Sequence, residues 1–380
     1  MKIEHIEFYH VSIPLDEPFM LSWVPGYPMT ENQFILVRMT TDDGIVGESA
    51  GISIGETYAS YGPTISSFIV GRDPFDVEGF LNMLEVEGTM GLRLAWLEPA
   101  FWDIMGKACG QPVYRLLGGG NNRIRAYYST GELREPNRRA DDLIQMRERG
   151  FKAVKLRFHN LDWREDMKVV EKAREVIGDS MEIMVDANQA MRYEILQPGP
   201  RWDLKTATDV ARALEEYDAY WLEEPLDRGD YEGMRELRQR TSIRIAGGEI
   251  NWRLQEFATL VQSRCLDILQ PDAAYVGGIS TTKKIAALAQ ASGLGFEPHT
   301  WGNGISLLIN MQVMASSLQC KFCEFPYDPP SWTLEGRDGI LAEPIDIDSE
   351  GFVHVPEKPG LGFVIDEEKL KKYGRKVFEF

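Results

Sequence analysis

The sequence predicts an α/β protein built on a (β/α)8-type, TIM-like barrel, with an α+β region before it and an irregular tail after it. Two observations carry this expectation. From about Arg123 to Phe325 one unit recurs: a short β-rich run, a polar turn, then an amphipathic helix. The runs number eight, and almost all end in a charged or polar residue, as strands do when their ends converge on one barrel mouth. A doubly wound open sheet is the second choice, because it does not call for eight converging ends.

The elements follow in order. Residues 1–122 open with IEHIEFYHVSIPL and FILVRMTTDDGIVGESA, which alternate apolar and polar residues around a DDG turn and read as antiparallel strands. Helical patterns run from about Tyr58 to Leu117, and FWDIMGKACGQPVYRLLGGG ends its apolar stripe in glycines. Residues 123–325 hold the runs RAYYS, AVKLRF, EIMVDAN, AYWLEEP, IRIAGGE, LDILQPD, LGFEPHT and KFCEF. Helices such as DMKVVEKAREVIG, TATDVARALEEYD and TTKKIAALAQASG separate most of them. Residues 326–380 turn Pro- and Gly-rich, too irregular for a domain, and are expected to fold back on the N-terminal region.

At 380 residues and 43% hydrophobic content, the chain can bury a large core and a smaller second one. Its net charge of −18, spread along the sequence, argues against nucleic acid or an anionic membrane as partner. An anionic substrate would need local positive charge, supplied by a divalent metal and a few Lys, Arg or His residues. The acidic residues in MKIEHIEFYHVSIPL do not fit a signal peptide, and a soluble cytoplasmic protein is expected. Cys109, Cys265, Cys320 and Cys323 are too scattered for a disulfide framework; the CxxC spacing of the last two has no accompanying ligand pair.

Three acids mark the ends of the third, fourth and fifth runs: Asp186 in VDAN, Glu223 in WLEEP and Glu249 in AGGE. Any one alone reads as a helix cap. On consecutive strands, three converging carboxylates require a cation, and hard oxygen ligands suit Mg2+. Asn188 is placed to complete the shell or touch substrate, whereas strand alternation points Glu224 elsewhere. Lys155 and Arg157, two apart on the second run, face the barrel interior beside the acids. Across the mouth, Asp272 ends the sixth run and His299 the seventh, and an Asp beside a His makes it a competent base. Glu324, ending the eighth run, either donates a hydrogen bond if protonated or pairs with Lys155 or Arg157.

In this order VKLR, VDAN, WLEEP, GGE, QPD with GGI, PHT and EF closely resemble the mandelate racemase and muconate lactonizing branch of the enolase superfamily. The resemblance covers nearly the whole chain, the helix FWDIMGKACGQPVYRLLGG included. It implies Asp186, Glu223 and Glu249 as ligands of one Mg2+ per subunit, His299 with Asp272 as the acid/base dyad, and Glu324 as the residue that bonds the substrate carboxylate. It also implies an α+β capping domain, completed by the C-terminal tail, that closes over the mouth and selects the substrate through loops near Phe19–Tyr27 and Glu48–Ser53. Trp23, Asn188 and Trp301 are the expected substrate contacts. A symmetric homo-oligomer, dimer or octamer, is implied as well.

One departure bears on mechanism. The family commonly has KxK on the second strand, its second Lys a base; here Arg157 stands there, and a guanidinium stays protonated. A reaction led by His299 is therefore expected: removal of the proton next to a carboxylate and dehydration of an acid sugar to a 2-keto-3-deoxy acid. Cycloisomerisation of a sugar lactone or anhydro-sugar acid comes second and racemisation or epimerisation, with Lys155 as opposite base, third. A non-catalytic acid-sugar binder is the alternative outside enzymes.

Overall fold

The computed structural model describes residues 1–380 apart from Ile54, Met90, Arg192 and Tyr193. Its first sheet contains β1 (Ile3–Met20), β2 (Pro28–Thr41) and β3 (Val46–Ile52), antiparallel, with β1 and β2 paired from Ile3↔Thr41 to Met20↔Pro28. The FILV stretch is apolar at every position because this sheet is buried on both faces. Ile35, Val37 and Met39 join Ile6 and Phe8 against the helices Thr57–Ile69, Val77–Thr89 and Glu98–Cys109. Phe34 and Leu36 join Val11 and Ile13 in the core shared with the barrel. The helix layer lies close on β3: a Cβ at Gly51 would stand 2.3 Å from the Trp96 ring.

The second sheet holds eight parallel strands: β4 (Arg123–Ser129), β5 (Ala153–Arg157), β6 (Glu182–Asp186), β7 (Trp221–Glu223), β8 (Arg244–Gly247), β9 (Ile268–Leu269), β10 (Gly295–Phe296) and β11 (Phe322–Pro326). Each pairs with the next as far as β10, and β11 pairs with β4. These are the eight expected runs, with helices in between. Tyr127, Met184, Trp221, Ile268 and Phe322 pack together as one inward-facing layer.

The seam between β10 and β11 carries no ladder among the described residues. β10 runs into Pro298, which has no N–H to offer. Side chains take over: the Glu297 carboxylate accepts from the N–H groups of Lys321 (3.1 Å) and Phe322 (2.8 Å). Thr300 donates its N–H to Glu324 Oε2 and its hydroxyl to the Glu324 carbonyl, both at 2.8 Å. Burial pushes the Glu297 carboxyl up to about 8 despite these donors.

The tail divides rather than folding wholly onto the N-terminal region. β12 (Phe352–His354) pairs antiparallel with the first half of β4, whose edge is open there because β5 reaches only Tyr128 and Ser129. β13 (Gly374–Glu379) then pairs antiparallel with β1. A second tie between the two layers is Glu98, which accepts from the N–H groups of Ile279 (2.7 Å) and Ser280 (3.0 Å) at the start of the barrel helix Gly278–Ser292. Gly278 has φ +82°, and a Cβ there would meet Glu98 Oε2 at 2.4 Å, which accounts for the GGI motif. No helix among the described residues is long and apolar enough to cross a membrane.

The loop after β4, which borders the mouth, is pinned by Asp328. Its carboxylate accepts from Gly131 N (2.9 Å), Glu132 N (3.0 Å), the Tyr128 hydroxyl (3.1 Å) and Arg139 (2.8 Å). Burial alone would raise its pKa, but Arg139 and Arg134 outweigh burial and hold it at about 2, below the usual 3.8. A depressed carboxyl contributes stability that is present above its unfolded value and lost as pH falls towards the folded one. Asp328→Asn is expected to cost about 3–5 kcal/mol, the range for stranding one partner of a buried ion pair. Urea unfolding of wild type and variant should show it, with the gap narrowing as pH drops from about 4 to about 2.

Candidate active site

The strand register brings the predicted acids together. Asp186 ends β6 and pairs with Glu223, which ends β7, and Glu249 lies two residues beyond β8. One oxygen from each lies within 4.8 Å of the others, and Asp186 and Glu223 are fully buried. Lys155 Nζ sits 2.7 Å from both Glu223 and Glu324 and 3.7 Å from Asp186, while Arg157 pairs with Asp186. Glu223 also accepts from Gln270 (2.8 Å) and Trp221 (3.1 Å). The neighbour charges of Asp186, Glu324 and Glu249, added to burial, push Glu223 up to about 8 even with Lys155 beside it. All-oxygen donors with surplus negative charge fit Mg2+.

Glu224 belongs to this cluster too, against the alternation argument. The strand ends at Glu223, and Glu224 has a left-handed backbone (φ +46°) that turns its side chain. It is 4% exposed, its Oε1 has no hydrogen-bond partner, and burial together with Glu249 raises its carboxyl well above the usual range. The only signal for it in the sequence is the EE doublet before Pro225. Asn188 shares the left-handed geometry (φ +48°); its Nδ2 donates to Asp186 at 3.1 Å and its Oδ1 faces Arg157 at 3.3 Å.

His299 and Asp272 meet as expected, Nδ1 to Oδ2 at 2.9 Å. Asp272 is itself fixed, since its Oδ1 accepts from Ala274 N (2.8 Å) and Asn310 Nδ2 (2.9 Å). Asn310, on a buried helix with no motif around it, was not legible beforehand. A carboxylate acceptor at Nδ1 places the proton there and leaves Nε2 facing the cavity, 3.5 Å from Glu249. Burial disfavours the imidazolium, but Glu249, Glu324 and Asp272 outweigh it and hold His299 at about 10. Glu324 goes the other way, to about 2, because Lys155, His299 and Arg157 prevail over burial. Of its two expected roles, pairing with Lys155 is the one observed.

Arg157 is engaged on every side. Its Nε donates to the Thr130 carbonyl (2.7 Å), and its guanidinium lies 4.8 Å from the Trp23 ring and 5.6 Å from Trp301. Above it opens a cavity of about 590 Å3 between barrel and N-terminal region, bounded among others by Trp23, Tyr27, Ser53, Asn188, His299 and Trp301. Phe19 lies buried behind this surface, and Glu48 instead pairs with Arg38 at 2.6 Å. Met191 and Ile195 of the long segment after Asp186 reach the cavity; Arg192 and Tyr193 lie outside the described residues. Ser129, also unforeseen, donates to Glu324 (2.8 Å) and accepts from Trp301 Nε1 (2.9 Å).

Comparison with known proteins agrees with this geometry. Residues 5–118 match the mandelate racemase / muconate lactonizing enzyme N-terminal domain, and residues 138–369 the enolase C-terminal domain-like family. The chain is 32% identical over 354 residues to arabinonate dehydratase of Saccharolobus solfataricus, covering 90% of each chain. It is 29% identical to D-galactarolactone cycloisomerase of Agrobacterium fabrum, covering 98% of this chain and 99% of that one. The crystal structure of L-talarate dehydratase from Polaromonas, complexed with Mg and L-glucarate, superposes with a TM-score of 0.85 at 28% identity, over 100% of this chain and 98% of that one. Fold, sequence and the carboxylate triad together make this chain a member of the mandelate racemase/muconate lactonizing enzyme family of the enolase superfamily.

Proposed function

We propose that this chain removes the proton α to the carboxylate of an acid sugar, with His299 Nε2 as base, and expels an oxygen from the β carbon, giving by loss of water a 2-keto-3-deoxy acid. The observation that carries the reading is the asymmetry of the mouth: an Asp-oriented histidine on one side and, on the other, two cations consumed by ion pairs. Arg157 has no lone pair to offer while it bonds Thr130 and Asp186. Lys155 is clamped between Glu223 and Glu324, which raise its pKa and keep it an ammonium. Racemisation needs a second base across the substrate, and neither group serves easily.

Asp186, Glu223 and Glu249 would hold one Mg2+, which supplies electrophilic stabilisation of the charge that develops on the substrate carboxylate. The chain's own residues do the rest. Glu249 is the strongest attraction keeping His299 protonated, so engaging Glu249 as a ligand frees the imidazole to act as base. Asp272 stabilises the imidazolium that results, and the same Nε2 returns its proton to the departing β-oxygen. Lys155 and Arg157 add fixed positive charge where negative charge grows. If the departing oxygen belongs to a ring, the same steps open that ring without loss of water, which is the cycloisomerase reading. The names of dehydratases and cycloisomerases among the relatives are in keeping with both.

The test is incubation with Mg2+ in D2O against aldonates, aldarates and their lactones, following the C2 proton and any new ketone by NMR. A 2-keto-3-deoxy product is expected; exchange without elimination would move the reaction to epimerisation, and binding without exchange would leave a non-catalytic binder. His299→Asn should lower C2 exchange by about 10²–10⁴-fold while keeping the thermal stabilisation by Mg2+. Asp186→Asn should lose that stabilisation, which for an intact site is worth about 2.7 kcal/mol at a hundred times Kd.

A further inference from the structure

We infer that the substrate carries a closed sugar ring, whose C–H face lies on the indole wall formed by Trp23 and Trp301; this rests on the acid-sugar reading of the same site. The two indoles meet edge to face at 5.2 Å and 69°. Trp301 is stacked from behind by Phe19, with planes 9° apart and centroids at 5.6 Å, and Trp332 packs against both at 5.3 Å. The wall is therefore backed and built before ligand arrives. It is also placed with respect to the chemistry. Trp301 lies two residues after His299, and its N–H is committed to Ser129, which bonds Glu324. Arg157 lies over both rings, so the wall begins beside the group nearest the metal acids.

Such a surface discriminates between shapes of polyhydroxy acid. An open chain presents hydroxyls on all sides, and those turned to the wall would forfeit their hydrogen bonds, because the Trp301 donor is spent and the indole faces have none. A ring turns its hydroxyls to its rim and offers C–H groups to the indole. Leu21, Val24, Met29 and Ile250 extend the same apolar lining, and about 590 Å3 is ample for a ring beyond the reacting carbons. The ring can come from two sources: a lactone or anhydro bridge within the acid itself, or a second sugar linked to an aldonate.

The experiment uses the full chain with Mg2+ and measures kcat/KM for C2 deuterium exchange on three matched sets: open-chain aldonates and aldarates, lactone or anhydro acids, and glycosylated aldonates. At least one ring set is expected to exceed open-chain acids of the same C2 and C3 configuration by tenfold or more, and which set does so names the source. Trp23→Leu should reduce that advantage to below about threefold, chiefly through KM, and Trp23→Phe should restore most of it. Open-chain acids turned over as well as rings by the wild type would overturn the inference while leaving the proposed function standing. Absence of exchange with every set would remove the acid-sugar reading beneath it.

Discussion

Charge imbalance at the barrel mouth is the constraint on which the site depends. Asp186, Glu223, Glu224, Glu249 and Glu324 come together there, and the permanent positive charges among them are Lys155 and Arg157. Both cations lie on β5, two residues apart, so one strand supplies the counter-charge for acids from its neighbours and from β11. Burying that many carboxylates is unfavourable unless cations and donors satisfy them. The chain concentrates the shortfall at Glu249 and Glu224, the two whose strand partners offer no lysine or arginine. A divalent cation placed there relieves strain that packing elsewhere has already stabilised, which is why the acids can remain close together in the folded chain.

The same chemistry recurs away from the mouth with a different purpose. Glu297, Glu98, Asp328 and Asp103 are all buried, and each accepts backbone N–H groups where the regular ladder gives out. Glu297 closes the β10–β11 seam. Glu98 ties the N-terminal helices to the barrel, and Asp103 does so for β3 and the tail through Glu48 N (2.9 Å) and Leu361 N (2.8 Å). Of the four, Asp328 and Asp103 have cations at hand in Arg139 and Lys107. The surplus of acids in this chain is thus partly structural: some of the negative charge read from composition is spent on joints between layers.

Most of the barrel was legible because each strand end carries its own signal. Asp186, Glu223, Glu249, Asp272, His299 and Glu324 each close a short β-rich run, and the topology alone then brings them to one rim. What escaped had a common cause. Glu224 and Asn188 take left-handed backbones just past their strands, so the two-residue alternation no longer tells where a side chain points. Ser129 and Asn310 act through other residues, and nothing local separates them from ordinary strand and helix positions. The path of the tail was half legible. Its Pro- and Gly-rich texture excluded a separate domain, but that β12 joins β4 depends on how far β5 extends along that edge, which no local pattern encodes.

Chemistry and selection are carried by different parts of the chain that touch at few points. The reacting groups sit on barrel strands, where register holds them and a change of side chain is felt by every neighbour. Trp23 and Tyr27, by contrast, come from the turn between β1 and β2 and meet the barrel through side-chain packing. Trp301 is where the two systems join, because it follows His299 directly, bonds Ser129, and still stacks on Phe19 from the N-terminal sheet. A substitution in the β1–β2 turn can therefore reshape the wall while leaving the acids and the histidine in register. A substitution at Trp301 moves both at once, since its indole N–H and its faces serve different parts of the same site.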